Sequence, residues 1–420
     1  MSTTELGPAF FLAAAVILVT CRLVGLLLRY LGQPPVVGEM VAGVALGPSV
    51  LGLISPGAED ALFPQELRPI LYVAGQIGLV AFMFVAGYEF RTDRLSSVGR
   101  TAVTVSAAGI AVPLVLGAGL AAVAHNWVDI YPDGISPLVG ALFIGVTLAI
   151  TAFPMLARII TERGLTDSRF GSISLAAGAL DDAVAWILLA AVLSLAGGGA
   201  STFALAAIGA VGLGVFLAVF VRLRPQALDW ARRLTEEHTL LVIVLILFVA
   251  AWYTDRIGLY AVFGAFSLGV AFPRDPVVTR AVRSIEPVSR IVFLPLFFTY
   301  SGLNTDFTLL SGGKMLLFTA ACVLVAVVSK FGACWATGRL LGEPQDVAIR
   351  VGTLMNARGL MQLIAINVGL AAGITSPALF GVLVIVALVT TVMTSPLLTL
   401  WDRLDRRRTR ADTSMAETTA

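Results

Sequence analysis

Apolar runs of about 20 residues recur along the whole chain and leave little polar sequence between them. A backbone inside a bilayer must satisfy its own hydrogen bonds, and a run of this length does so as a spanning α-helix. Hydrophobic residues make up 58% of the 420 residues and charged residues 13%, whereas soluble domains are about a quarter charged. The sequence therefore predicts an all-α polytopic membrane protein. Thirteen spans are predicted, at about 9–30, 36–53, 69–87, 99–124, 137–160, 171–197, 203–222, 239–254, 257–272, 287–303, 314–338, 347–371 and 377–400.

Basic residues are distributed unevenly between the predicted loops. One set of alternate loops holds most of the 28 Lys and Arg residues, including the cluster Arg403–Arg410, whereas Arg68, Arg256 and Lys314 lie on the other side. Because Lys and Arg mark cytoplasmic loops, we expect the C-terminus in the cytoplasm and, with an odd number of spans, the N-terminus outside. Residues 1–400 are predicted to form one transmembrane unit in the cell membrane, and 401–420 a short cytoplasmic tail.

Two adjacent carboxylates, Asp181 and Asp182, lie in the middle of the apolar stretch Ile173–Ala196, and no other charge occurs between Arg169 and Arg222. A charge at mid-bilayer depth costs from a few to more than ten kcal/mol, roughly, and usually belongs to an ion or proton path. Adjacent helical residues point about 100° apart. The two carboxylates therefore cannot share one direction, and the pair predicts a site that handles protons or cations.

Lys330 is the second charge that stands out within a predicted span. The chain has 26 arginines and two lysines, so a buried lysine departs from its general use of arginine. Lysine differs from arginine chiefly in its ability to lose a proton when buried. We expect Lys330 to pair with one of the two aspartates while the other faces a cavity. The alternative is a permanent ion pair that only holds two helices together.

Two spans contain residues that an uninterrupted helix avoids. Span five carries Thr151 and Pro154 near its middle, and span twelve carries Asn356, Arg358 and Gly359. Broken helices at membrane depth occur where neighbours satisfy the freed backbone groups, and many transporters build ion sites from them. Because the two spans run in opposite directions, the breaks suggest an inverted repeat of spans 1–6 and 8–13. Arg358 is expected to neutralise carbonyl-rich half-helix ends. The alternative to two broken helices is that Pro154 only kinks its span and that Arg358 marks a misplaced loop.

Several classes of protein lack support in the sequence. We find no nucleophile triad, phosphate-binding loop, metal-ligand cluster or nucleic-acid patch, so we expect no enzyme, no cofactor, no nucleic-acid partner and no metal beyond a transported cation. The three cysteines fall within spans and are interpreted as packing residues. Gly43 and Gly47 are spaced for close helix packing.

Four further segments are informative: 33–49 (QPPVVGEMVAGVALGPS), 150–158 (ITAFPMLAR), 254–269 (TDRIGLYAVFGAFSLG) and 356–364 (NARGLMQLI). Together with the Asp181–Asp182 segment, they resemble the second family of monovalent cation:proton antiporters, especially its plant cation/proton exchanger branch. The resemblance implies a sodium/proton antiporter-like fold of thirteen helices with two crossing broken helices. It also implies a homodimer in which dimerisation helices flank a mobile core, about 99–197 and 314–400, that works as an elevator.

The resemblance also implies roles for single residues. Asp182 matches the ion-binding aspartate at which cation and proton compete, and Thr151 lies in the crossover that helps to coordinate the ion. Lys330 matches the lysine that pairs with the first carboxylate in electrogenic members. Asp181 stands where the plant-like branch usually has asparagine, and Gln362 where that branch often has glutamate.

The function expected from the sequence is therefore exchange of Na⁺ or K⁺ for protons by electrogenic alternating access. Two alternatives stay open at this point. One is a symporter of a small organic anion on a similar scaffold, and the other is a channel subunit or membrane sensor that transports nothing itself.

Overall fold

The fold was analysed in a computed structural model that describes residues 3–89, 95–128, 130–132, 134–196, 200–226, 235–257 and 260–419. Every named regular element in these ranges is helical. The α-helices are α1 (Thr3–Tyr30), α2 (Pro35–Leu46), α3 (Pro56–Leu62), α4 (Arg68–Glu89), α5 (Leu95–Ala124), α6 (Pro137–Ala149), α7 (Phe153–Glu162), α8 (Arg169–Ala196), α9 (Ala200–Arg222), α10 (Glu236–Arg256), α11 (Ala261–Ala271), α12 (Pro276–Val288), α13 (Leu294–Leu303), α14 (Gly313–Leu340), α15 (Gln345–Met355), α16 (Gly359–Ala371) and α17 (Pro377–Thr419). Short π-helical turns occupy Pro48–Gly52 and Ser289–Phe293, and a 3₁₀ turn occupies Phe307–Leu310.

The helices confirm an all-helical, multi-pass membrane protein. Within the described ranges, eight helical segments are long and apolar enough to cross a bilayer. Four shorter apolar helical segments, Pro35–Leu46, Pro137–Ala149, Val211–Arg222 and Ala261–Ala271, fall inside other predicted spans. Thirteen spans and the inverted repeat stay predictions. Residues 197–199 and 258–259, which belong to the predicted core and to the 254–269 segment, lie outside the described residues.

The two predicted helix breaks are present. Span five divides into α6 and α7 with an extended turn at Ile150–Ala152, and span twelve divides into α15 and α16 at Asn356–Arg358. Pro154 does not kink a continuous helix, because it lies in the first turn of α7. A proline costs little there, since its missing N–H would have no acceptor within the helix.

Two hydrophobic clusters organise the described helices. The larger one surrounds the two breaks and includes α5, α8, α14 and α17, whereas the smaller one joins α1, α2, α4 and α13. Gly43 and Gly47 allow α2 to approach α13 as predicted: a Cβ at Gly43 would lie 2.3 Å from the Phe298 carbonyl oxygen. Small residues at such a crossing permit direct backbone contact.

Polar contacts tie several helix ends together at one end of the bundle. Arg169 at the start of α8 binds Glu343, before α15, with both contacts at 2.6 Å. Arg163, after α7, donates to the Ser395 carbonyl of α17 at 2.9 Å. Arg350 of α15 pairs with Asp402 and Asp405 of α17, just beyond the last predicted span. These contacts place the predicted cytoplasmic segments on a common face.

Candidate functional site: a buried acid pair at the crossing of two broken helices

The two breaks contact each other directly. The backbone N–H of Ala152 donates to the carbonyl of Ala357 at 2.9 Å, so one backbone group at each break finds its hydrogen-bond partner at the other break. Around this contact, the last carbonyls of α6 and α15 and the first N–H groups of α7 and α16 have no partners within their own helices. Helix ends carry partial charges, positive at the N-terminus and negative at the C-terminus. Cationic groups are therefore favoured near the C-terminal ends of α6 and α15, and anionic groups near the N-terminal ends of α7 and α16.

Asp181 is fully enclosed and accepts three hydrogen bonds. Lys330 Nζ donates to Asp181 Oδ2 at 2.6 Å, and both side chains have zero exposure. The Thr151 hydroxyl donates to the same oxygen at 2.7 Å, and the Ser106 hydroxyl of α5 donates to Oδ1 at 2.6 Å. In the structure, Lys330 thus pairs with the first aspartate. Three donors, one of them a charged ammonium, therefore converge on this carboxylate.

Asp182 is buried but has far fewer partners. Its side chain is 1% exposed, and its Oδ1 accepts one long contact of 3.4 Å from the Phe153 N–H at the start of α7. Among the described residues Oδ2 has no hydrogen-bond partner. The N-terminus of α7 favours negative charge at this point. Asp182 is therefore the carboxylate with an oxygen available to a proton or a cation.

Lys330 bridges the acid pair and the first broken helix. Besides Asp181, its ammonium donates to the carbonyl of Ala149, the last residue of α6, at 2.6 Å. Gly109 of α5 leaves room for this arrangement, because a Cβ there would lie 2.8 Å from Cys334 Sγ and 3.6 Å from Lys330 Nζ. Lys330 consequently neutralises a helix end as well as a carboxylate.

Arg358 and Asn356 donate hydrogen bonds to backbone carbonyls around the two breaks. Arg358 is completely buried, and its guanidinium donates to the carbonyls of Leu148 at 2.6 Å, Ala326 at 2.8 Å and Ile150 at 3.3 Å. Asn356 Nδ2 donates to the Val327 carbonyl at 3.2 Å. Neither the Arg358 guanidinium nor the Asn356 amide has a described hydrogen bond to Asp181 or Asp182. These side chains hold the half-helix ends rather than the ionisable pair.

The structure also places residues that the sequence left open or did not indicate. The Thr151 hydroxyl lies on Asp181 and 3.1 Å from the Met355 carbonyl, so it contacts the first carboxylate rather than the second. Gln362 is fully buried in the first turn of α16, with one contact of 3.4 Å to the Leu383 carbonyl. Ser106 was not predicted, because a lone hydroxyl within an apolar helix gives no signal of function. Its spacing from the aspartates in the sequence is equally uninformative.

Within the described residues, no group of three or more His, Cys, Asp or Glu side chains has the arrangement of a metal centre. Cys21, Cys322 and Cys334 are free and buried, which fits their interpretation as packing residues. The arrangement offers reversible binding of a proton or cation at one carboxylate, next to a second carboxylate neutralised by a lysine.

This fold and site define a class: membrane proteins in which two broken helices cross beside a buried acid pair. A family model described as the transmembrane sodium/hydrogen exchanger matches residues 15–400. The chain therefore belongs to the sodium/hydrogen exchanger family, as the resemblance in the sequence predicted.

Individual relatives agree with this assignment. The chain is 36% identical to the Na⁺/H⁺ antiporter NhaS4 of Synechocystis over 91% of its own length and 94% of that protein. It is 34% identical to the cation/H⁺ antiporter 17 of Arabidopsis thaliana over 96% of its length and 50% of that protein. It is 33% identical to the K⁺/H⁺ antiporter 1 of Saccharomyces cerevisiae over 92% of its length and 46% of that protein. The chain thus spans about half the length of the plant and yeast relatives.

A solved structure has the same overall fold. The sodium proton antiporter MjNhaP1 of Methanocaldococcus jannaschii aligns with a TM-score of 0.62, at 15% identity, over 94% of this chain and 97% of that one. At this identity the likeness concerns the fold.

Proposed function

We propose that this protein exchanges a monovalent cation, Na⁺ or K⁺, for protons, with Asp182 as the residue that binds either the cation or a proton. The observation that carries the proposal is the buried Asp182 oxygen without a described partner, beside the N-terminus of α7. One carboxylate cannot hold a proton and a cation on the same oxygen at once. Competition at that oxygen therefore couples the two fluxes without any covalent chemistry.

Asp181 and Lys330 add a second proton to the cycle in this proposal. At 2.6 Å and zero exposure, the pair is stable only while Asp181 is ionised and Lys330 is charged. Protonation of Asp181 releases Lys330, which keeps its contact with the Ala149 carbonyl. Two protons then exchange for one cation, and net charge crosses the membrane. Each charge moved is worth about 2.3 kcal/mol per 100 mV.

The larger assembly follows the same proposal. The core, about 99–197 and 314–400, moves as an elevator against dimerisation helices that include α1, α2, α4 and α13, and two copies form a homodimer. The smaller hydrophobic cluster joins these four helices, and α2, α4 and α13 also contribute buried residues to the larger cluster. The common face of Arg163, Arg169 and Arg350 supports a cytoplasmic C-terminus and an external N-terminus, because basic residues mark the cytoplasmic side.

The names of the relatives favour exchange over the two alternatives left open by the sequence. NhaS4 is named as a sodium antiporter and the yeast relative as a potassium antiporter. We therefore keep both Na⁺ and K⁺ in the proposal.

Proton release from acidified proteoliposomes on addition of Na⁺, K⁺ or Li⁺ tests the exchange. We expect a response in the wild type, none in Asp182→Asn, and a wild-type response in Asp60→Asn, whose carboxylate is exposed in a loop helix. No wild-type response to any of the three cations would refute exchange. Voltage-clamped liposomes then test the stoichiometry, since an absence of current would refute the two-proton version alone.

A further inference from the structure

The carboxylate of Asp182 lies on a stripe of α8 between two aromatic rings. Residues four apart on a helix are neighbours on its surface, so Gly178, Asp182 and Trp186 follow one another along this stripe. The ring of Phe153 lies beside Gly178, where a Cβ would be 3.8 Å from Phe153 Cδ2. Helical side chains lean toward the N-terminus of their helix. Asp182 therefore leans toward the Phe153 ring, and Trp186 leans toward Asp182.

Two aromatic residues of the α11 segment contact these rings. The centroids of the Phe153 and Phe266 rings are 6.0 Å apart, and those of the Trp186 and Tyr260 rings are 6.4 Å apart. Tyr260 precedes α11 with a φ of 62°, which is costly for a residue with a side chain and is found most often at functional sites. We call these four rings the aromatic box.

Backbone oxygens near the aromatic box are already engaged. The last carbonyls before the first break, at residues 148–150, accept hydrogen bonds from Lys330 and Arg358. Two carbonyls at the second break accept hydrogen bonds from the first break. Asp182 Oδ2, in contrast, has no hydrogen-bond partner among the described residues. A cation on this oxygen therefore has aromatic rings, rather than further free carbonyls, as its described neighbours.

Such surroundings discriminate between cations through the free energy of dehydration. The face of an aromatic ring attracts a cation of any size. Li⁺ and Na⁺ hold their water strongly, and a full set of oxygen ligands is needed to replace that hydration shell. K⁺ and Rb⁺ lose their water at a lower cost, so contact with ring faces offsets more of it.

We infer that the aromatic box makes Asp182 selective for weakly hydrated cations, K⁺ and Rb⁺ over Na⁺ and Li⁺. This inference rests on the proposed function, in which Asp182 binds the transported cation, and it narrows the choice of cation left open there. A dehydrated K⁺ contacts the rings beside the carboxylate, whereas Na⁺ keeps its water and gains little from them. The four aromatic residues are specificity-determining in this role.

Half-saturating cation concentrations in the proteoliposome assay test the selectivity. Trp186→Leu and Phe266→Leu each remove one ring of the aromatic box. We expect each to raise the half-saturating concentration of K⁺ and Rb⁺ about fivefold, which is the effect of one cation–π contact, and to change that of Na⁺ little. Trp186→Phe, which keeps a ring, should recover most of the K⁺ affinity that Trp186→Leu loses.

Phe272→Leu is the matched control for Phe266→Leu. Phe272 directly follows α11 and is 5% exposed, against 6% for Phe266. Its ring packs on Phe84 of α4, with the centroids 5.3 Å apart, and is not part of the aromatic box. The substitution therefore removes a buried ring of the same kind, and the ratio of K⁺ to Na⁺ affinity should stay at the wild-type value.

Quenching of Trp186 fluorescence by Cs⁺ tests binding without transport. Cs⁺ is weakly hydrated and, as a heavy ion, quenches an indole that it contacts. We expect a saturable part of the quenching of the purified protein to disappear in Trp186→Phe, and to be displaced by K⁺ at lower concentrations than by Na⁺. If Trp186→Leu does not fold, Phe266→Leu, which keeps the fluorescent indole, should weaken Cs⁺ binding about fivefold.

The outcomes separate this inference from the proposed exchange. A wild type that prefers Na⁺ or Li⁺, an unchanged ratio of K⁺ to Na⁺ affinity in the folded leucine variants, or an equal change in Phe272→Leu would overturn the inference. Saturable quenching displaced by K⁺, in a protein that exchanges no cation, would support the aromatic box and refute the proposed exchange. The absence of both exchange and saturable quenching would refute both.

Discussion

The ion pair between Asp181 and Lys330 gives a quantitative prediction about how the site is stabilised. Both side chains have zero exposure, and Lys330 Nζ lies 2.6 Å from Asp181 Oδ2. Removing one partner of such a pair leaves an uncompensated buried charge, which costs about 3–5 kcal/mol. We therefore expect Lys330→Met to destabilise the protein by about that amount, with the Ala149 carbonyl losing a donor as well.

A double variant separates the interaction energy of the Asp181–Lys330 pair from the contributions of the two single side chains. Asp181→Asn leaves the Lys330 charge unpaired, so we again expect about 3–5 kcal/mol of destabilisation. With both substitutions no buried charge remains from the pair, and an asparagine oxygen still accepts from one of the Ser106 and Thr151 hydroxyls. Lys330→Met/Asp181→Asn should therefore cost several kcal/mol less than the sum of the single substitutions.

Unfolding by SDS in mixed micelles measures these free energies with the full chain. The reasoning would be refuted if the loss of unfolding free energy in the double variant equalled the sum of the two single losses within about 0.5 kcal/mol, as expected of independent sites.

Two further predictions use the same unfolding assay. Arg358→Met removes charged hydrogen bonds to three backbone carbonyls, each worth about 1.5–3 kcal/mol, so we expect a loss of at least about 3 kcal/mol; a loss below about 1 kcal/mol would contradict its role at the helix ends. Arg350→Ala breaks ion pairs with Asp402 and Asp405, whose side chains are 46% and 39% exposed, so we expect a loss of about 1 kcal/mol or less that shrinks at high salt. The double variant Asp402→Asn/Asp405→Asn should show the same salt dependence, and a salt-independent loss would contradict an electrostatic contact.

The charged centre of the site could be predicted from the sequence because the bilayer makes buried charge rare. Asp181, Asp182 and Lys330 stand out in apolar runs, and so does Arg358. The breaks could be predicted for a similar reason, since proline and an Asn–Ala–Arg–Gly run interrupt a spanning helix only where other groups satisfy the backbone. In the structure these charged side chains are buried, and the two interruptions lie between α6 and α7 and between α15 and α16.

Other features depend on helix rotation and on surfaces that hydropathy does not detect. Residue spacing shows that the two aspartates point apart, but only the azimuth of α8 decides which one meets Lys330; the family resemblance supplied that assignment. Ser106 gives no signal, because one serine in an apolar helix is common. Helices outside the apolar spans, such as α12 and the extension of α17 to Thr419, were missed because polar helices resemble loops in a hydropathy pattern.

The half-helix ends explain how two cationic side chains can be buried around the acid pair. Arg358 and Lys330 both donate to carbonyls at the end of α6, at Leu148, Ala149 and Ile150. Part of their charge is therefore balanced by the backbone, whether or not Asp181 is ionised. In the cycle proposed above, Lys330 loses its carboxylate partner and keeps the Ala149 carbonyl as an acceptor. Asp182 lies instead beside the N-terminus of α7. Of the two carboxylates, it is the one that has no described ion pair.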